Sequence, residues 1–119
     1  HMPSTPETNG SINAATLKLM KPDAVLVNVG RGEVINEADL IEALKAKVIA
    51  GAALDVRAQE PPVKGEMEEI TNLILTPHVA GITKESQLRI NEILVSNIMK
   101  VLNNEVATHA VGAIKESAK

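Results

Sequence analysis

Residues 24–32 read A-V-L-V-N-V-G-R-G, and the fold turns on how that stretch is read. It begins as a continuous apolar run, A-V-L-V, within a predicted strand from Ala24 to Val29. Such a run, without regular polar alternation, predicts a strand buried on both faces. Gly30 and Gly32 follow, allowing backbone angles that other residues resist, and they hold Arg31 between them. Ligands of parallel α/β sheets bind beyond the carboxyl ends of the strands, which is where this arginine falls.

Outward from that stretch the chain alternates. Asn36 starts N-E-A-D-L-I-E-A-L-K, a helix with Asn36 as N-cap, Glu37 and Asp39 at its positive end, Lys45 and Lys47 at its negative end, and Leu40, Ile41 and Leu44 as its apolar stripe. Ala50 to Val56, A-G-A-A-L-D-V, predicts a second buried strand whose small residues admit a close neighbour. Strand, helix, strand at this spacing is a βαβ unit, parallel and right-handed. Residues 57–69 contain Pro61-Pro62 and predict loop, with one helical turn around Met67. Leu73 to Thr76 predicts a short third strand, closed by Pro77 before His78. Thr83 caps the longest helix, to about Asn104, roughly 30 Å long. Upstream, Pro3 to Gly10 reads as loop and Ser11 to Met20 as a short helix capped by Asn13, with Leu17 and Met20 turned inward. The expected fold class is α/β: three parallel strands flanked by helices, with a long C-terminal helix.

Composition narrows the function. The 119 residues are 45% hydrophobic, enough for one modest core, yet include no Phe, Tyr or Trp. The core must therefore be aliphatic, and the aromatic platforms that stack single-stranded nucleic acid are missing. A net charge of -3 without a basic block disfavours nucleic acid and anionic membrane, and no stretch approaches a membrane span. Absence of cysteine excludes disulfides and thiolate metal sites and fits a cytoplasmic location. No metal is expected, since His78 and His109 stand without ligand-spaced neighbours. His1-Met2 reads as a cloning remnant, and residues 105–119 as a weakly ordered tail with His109 inert.

Each strand ends in polar residues that a core does not request: Arg31 after the first, Asp55 with Glu60 beyond the second, His78 after the third. Singly, Arg31 also reads as solvated, Asp55 as a turn cap, Glu60 as loop and His78 as a hydrogen-bonded structural histidine. Parallel neighbouring strands would instead gather all of them on one rim. There an arginine can fork a carboxylate, and a carboxylate can favour the charged form of a histidine that moves a proton near neutral pH. Gly30-Arg31-Gly32 and Asp55 also imitate a dinucleotide fingerprint, but Ile35 stands where the third glycine belongs.

At these residues the chain resembles the NAD-dependent D-2-hydroxyacid dehydrogenase family. The matching motifs are M-K-P-D-A-V-L-V-N-V-G-R-G at Met20 to Gly32, D-L-I-E-A-L at Asp39 to Leu44, G-A-A-L-D-V-R-A-Q-E-P at Gly51 to Pro61 and N-L-I-L-T-P-H-V-A-G at Asn72 to Gly81, with T-P-E-T at Thr5 to Thr8. They cover most of residues 3–104, which the resemblance makes the carboxy-terminal half of a partial Rossmann-like NAD-binding domain. It implies that Arg31 binds the substrate carboxylate, that His78 exchanges a proton with the keto oxygen, and that Glu60 pairs with His78. It implies cofactor contacts from Thr5, Val29, Gly30, Arg31, Asp55, His78 and Gly81. The substrate would be a small 2-keto or 2-hydroxy acid such as glyoxylate, hydroxypyruvate or phosphohydroxypyruvate, and the cofactor NAD, with NADP as the alternative. The family's G-x-G-x-x-G loop and ribose-reading acid find no counterpart here, and its usual aromatic after L-D-V is Arg57. The chain is accordingly expected to be a fragment, to bind NAD weakly or not at all by itself, to be inactive alone, and to form a homo-oligomer through its bared sheet. The alternative is a non-catalytic binding or structural module, a truncated gene product or a corepressor-like relative on the same fold.

Overall fold

The computed structural model describes residues 2–108; His1 and the end of the tail with His109 lie outside them. The chain divides into two compact units, His1–Ala80 and Gly81–Lys119.

The first unit holds α1 (Ala14–Leu17), β1 (Val25–Asn28), α2 (Glu37–Lys45), β2 (Gly51–Leu54) and β3 (Leu73–Leu75). The strands are parallel in the order β1-β2-β3, with Val27 beside Ala53 and Ala53 beside Ile74. The sequence signals act locally as their chemistry requires. Asn13 accepts from the Ala15 and Thr16 N–H groups and closes a capping box with Thr16. Asn36 accepts from the Asp39 N–H at the start of α2. Only one turn of the first helix forms, and the chain then breaks toward Pro22. A 3-10 turn, Glu66–Glu69, lies between β2 and β3 and buries Met67.

The core is aliphatic throughout: Leu17, Leu40, Leu44 and Ile49 are fully buried, joined by Ala52, Leu54 and Met67. At about 1.5–3 kcal/mol per buried aliphatic side chain, this cluster supplies the driving force that no aromatic ring provides.

The expectation of a β1 buried on both faces does not hold. Val25 and Val27 are 60% and 63% exposed, and Ile74 on β3 is 66% exposed. Topology gives the reason. Right-handed crossovers that step in one direction across a parallel sheet all lie on the same face. The β1–α2–β2 and β2–turn–β3 connections both step in the order β1-β2-β3, so they cover one face and leave the other apolar and open. β1 is consequently an edge strand, with β2 at the centre.

The second unit is dominated by α3 (Lys84–Leu102), capped by the Thr83 hydroxyl on the Ser86 N–H. Its apolar residues recur at helical spacing and are exposed, Ile90, Leu94, Ile98 and Val101 among them. At the start of the tail, Thr108 donates through its N–H and hydroxyl to Asn97 Oδ1, at 2.9 Å each.

Candidate active site

The parallel ladder continues one step past the strands at their carboxyl ends. Asp55 N–H donates to Asn28 O at 2.9 Å, and His78 N–H donates to Asp55 O at 2.8 Å. These two bonds draw the residues that follow β1, β2 and β3 onto one rim. A hollow of about 370 Å³ there is lined by Arg31, Glu60 and His78, together with Glu33 and Arg57. The three residues proposed from sequence for proton transfer and anion binding thus share one cavity.

His78 and Glu60 are in direct contact. His78 Nδ1 lies 2.7 Å from Glu60 Oε2, while Glu60 Oε1 accepts from the Arg57 N–H at 2.9 Å. Both carboxylate oxygens are thereby fixed. The hydrogen bond from His78, then the Arg57 N–H and the nearby Arg31 charge, hold the Glu60 carboxyl below its usual range. An ionised Glu60 accepts from Nδ1–H, leaving Nε2 as the ring nitrogen with no partner among the described residues. The histidine backbone stands at φ 55, a left-handed conformation rare for a residue with a side chain, held by the bond from its N–H to Asp55.

Asp55 is buried and serves that turn. Its Oδ1 accepts from the Thr76 hydroxyl and from Val79 N–H at 2.9 Å, and its Oδ2 from Ala80 N–H at 2.8 Å. The Thr76 hydroxyl, and then the Ala80 and Val79 N–H groups, hold its carboxyl below the ordinary value despite the opposing cost of burial. One carboxylate thus wraps residues 76–80 around the end of β2 and sets His78 in place.

Arg31 is presented by a turn that Asn28 organises. Asn28 Oδ1 accepts from Gly30 N–H at 3.0 Å and its amide donates to Arg31 O at 2.9 Å. Sequence reading missed Asn28, although an Asn just before a glycine turn is a recognisable signal. The reason given for the glycines needs correction as well. Neither Gly30 nor Gly32 has a positive φ; among the described glycines only Gly10 does. Gly32 is required because a Cβ there would stand 2.0 Å from the Arg57 carbonyl carbon, so backbone meets backbone. Ile35, at the missing third glycine, is 4% exposed core, and residues 32–34 form a 3-10 turn rather than a helix N-terminus.

The remaining candidates fall elsewhere. Thr5 closes a local turn with Thr8, its N–H donating to the Thr8 hydroxyl at 2.8 Å. Val29 lies with Val27, Ala53, Asp55, Val79 and Ala80 along a shallow groove of about 240 Å³ on the open sheet face. Gly81 begins the second unit, where a Cβ would meet nothing within 4 Å. Among the described residues no group of His, Asp and Glu could hold a metal ion, and no helix is long and apolar enough to cross a membrane.

Comparison with known proteins identifies the family. The family model described as D-isomer specific 2-hydroxyacid dehydrogenase, NAD binding domain, matches residues 1–80. A D-3-phosphoglycerate dehydrogenase of Synechocystis is 44% identical over 111 residues, covering 93% of this chain and 20% of the relative. A glycerate dehydrogenase of Methylorubrum extorquens is 46% identical over 101 residues, covering 82% of this chain and 32% of the relative. Among solved structures, an NADPH-dependent glyoxylate/hydroxypyruvate reductase from Sinorhizobium meliloti, in complex with NADP and malonate, superposes with a TM-score of 0.83 at 35% identity, covering 93% of this chain and 35% of that one. The chain therefore spans a fifth to about a third of the length of these proteins.

The first unit fits one end of a nicotinamide dinucleotide. The groove of small apolar residues beside His78 suits the flat face of a ring at the carboxyl ends of parallel strands. It does not suit the diphosphate. The N-terminus of α2 is capped by its own Asn36 and carries Glu37 and Asp39 in its first turn, charges that repel an anion a helix N-terminus would otherwise attract.

Proposed function

The chain belongs to the NAD-binding domain family of D-isomer specific 2-hydroxyacid dehydrogenases, and on that premise we propose that it carries the proton-transfer and anion-binding residues for interconverting a small 2-keto acid and its 2-hydroxy acid. One observation carries the reading: His78 Nδ1 is 2.7 Å from Glu60 Oε2 on the hollow that Arg31 also lines. In reduction, protonated His78 donates from Nε2 to the keto oxygen; in oxidation, neutral Nε2 takes the hydroxyl proton. Glu60 fixes the ring through Nδ1–H and stabilises the imidazolium, as an orienting carboxylate does in other His-dependent sites. Arg31 offers the fork that pairs two-fold with a substrate carboxylate. When bound, the nicotinamide supplies or accepts the hydride. Val29 and Asp55 are the residues of this chain best placed to line its ring.

Glyoxylate, hydroxypyruvate or phosphohydroxypyruvate is the substrate class this reading favours, in line with the names of the relatives. It includes a cytoplasmic location and self-association through the open apolar sheet face. A one-chain mass by light scattering at micromolar concentration would remove the self-association. Without a diphosphate cradle among its described residues, the chain alone is expected to be inactive and to bind NAD weakly or not at all, and micromolar NADH affinity by calorimetry would overturn that expectation.

The deciding experiment complements the chain with the segments of a relative that lie outside the matched region. NADH-dependent reduction of glyoxylate or hydroxypyruvate is expected. His78→Ala should lower turnover by about 10²–10⁴-fold, the range of a lost general acid. Undiminished turnover in that variant, or none in a folded wild-type assembly, overturns the assignment.

A further inference from the structure

Arg57 stands where the resembling family usually has an aromatic residue, and nothing in the mechanism above uses its side chain. Its position is nevertheless central. The side chain is 12% exposed, with Nε 3.1 Å from Glu37 Oε1 on α2 and Nη1 3.2 Å from Glu68 Oε1 on the 3-10 turn Glu66–Glu69. Glu37 Oε1 also accepts from Ala58 N–H at 2.9 Å. Burial pulls the guanidinium down and the Glu37 and Glu68 carboxylates outweigh it, so its pKa stands above the ordinary arginine value. The guanidinium is thus a fork between two elements of the first unit, a role that one ammonium fills poorly.

The backbone of the same residue touches the site on two sides. Its N–H holds Glu60, which holds His78. Its carbonyl packs against Gly32, one residue from Arg31, so closely that no Cβ fits between them.

We propose that Arg57 is a positioning residue: by pinning residues 57 and 58 to Glu37 and Glu68, it fixes the register of Glu60, and through it the ring of His78, relative to the Arg31 turn. It does not touch substrate. Its charge is already balanced by two carboxylates, so it adds no second anion contact. The inference rests on the proposed roles of His78 and Glu60, but its test reads their contact directly.

In the uniformly 15N-labelled 119-residue chain, long-range proton–nitrogen spectra report which imidazole nitrogen carries the proton. Wild-type His78 is expected to be protonated at Nδ1 when neutral. Arg57→Leu should shift the tautomer ratio toward Nε2–H by about tenfold, as expected when a hydrogen bond to a charged group loosens. The core amides of Ile49 and Leu54 should not move. Glu68→Gln, which leaves Glu37 in place, should shift the ratio less and in the same direction, and it decides the matter if Arg57→Leu does not fold. Arg57→Lys should fall between wild type and Arg57→Leu. An unchanged His78 ratio in a folded Arg57→Leu chain, or in Glu68→Gln, overturns the proposal even if the complemented protein reduces keto acids. A shifted ratio upholds it even if no reduction is found.

Discussion

The two ends of the β-sheet carry hollows of opposite character. The one at the amino ends of the strands is larger, about 680 Å³, and is lined by Lys45, Lys47, Glu66, Glu69 and Asn72. Its ion pair, Lys45 with Glu66, is solvent-exposed on both partners. The one at the carboxyl ends is about 370 Å³. Its pair, His78 with Glu60, is also partly exposed, but two acids there are held by the backbone as well: Glu60 by an N–H besides the histidine, and Asp55 close by through two N–H groups and a hydroxyl. The proposed site is therefore not the more voluminous hollow. Groups fixed before a ligand arrives need no reorganisation when charge develops, whereas side chains free to swing in water must first be ordered.

The largest test of that contrast uses the complemented assembly. Glu60→Gln keeps the shape of the rim and removes the carboxylate that contacts His78 Nδ1. It should lower turnover by at least about tenfold, within the range expected for an impaired acid–base pair. Lys47→Met removes charge from the larger hollow and should leave turnover within about twofold, as a surface change remote from the chemistry does. A reversed order of effects would move the active site to the other end of the sheet.

How much of this was legible in the sequence depends on whether the signal was local. The caps Asn13, Asn36 and Thr83, the turn at Met67 and the three strands were readable because each is set by a few neighbouring residues. The gathering of Arg31, Glu60 and His78 was readable because parallel order alone brings strand ends together. The open face of β1 was expected from the resemblance, which leaves the sheet bared, but was not legible in the run itself, because an apolar run reports hydrophobicity and not which helices arrive to cover it. Nor was the Arg57 fork, since Glu37 and Glu68 lie 20 and 11 residues away and only the tertiary fold makes them partners. Gly32 was noticed for the wrong reason: its demand comes from the Arg57 carbonyl and not from its own torsions.

That correction yields the next test, within the rim itself. Gly32→Ala drives a methyl into the Arg57 backbone and should cost about 1–3 kcal/mol or more, as overpacking does. Gly30→Ala brings its Cβ only to 3.3 Å from Met2 O and 3.4 Å from Asn28 Oδ1, contacts that a shift of a few tenths of an ångström relieves, and should change stability by no more than about 0.5 kcal/mol. Urea unfolding of the two variants measures the difference. Equal costs would mean that the glycines serve the conformation of the turn after all.

The smallest expected effect separates the two ends by pH. Glu60, Asp55 and Glu68 are held below their ordinary values in the folded chain. A depressed carboxyl contributes stability that is complete above its unfolded value, about 4, and that disappears as pH falls through the folded value. Lys45 is shifted the other way: its hydrogen bond to Glu66 raises it. A raised lysine contributes stability that is complete below its unfolded value, about 10.4, and that disappears as pH rises through the folded value. The rim should thus weaken in acid and the amino end in alkali. Urea midpoints measured across pH should show Asp55→Asn flattening the acid limb while leaving the alkaline limb alone. Lys45→Met should do the reverse, and more faintly, because its pair is solvent-exposed and screened by salt. If Asp55→Asn left the acid limb as steep as in wild type, the bonds to Thr76, Val79 and Ala80 would not be what holds the His78 turn, and the proposed advantage of the smaller hollow would lose its physical basis.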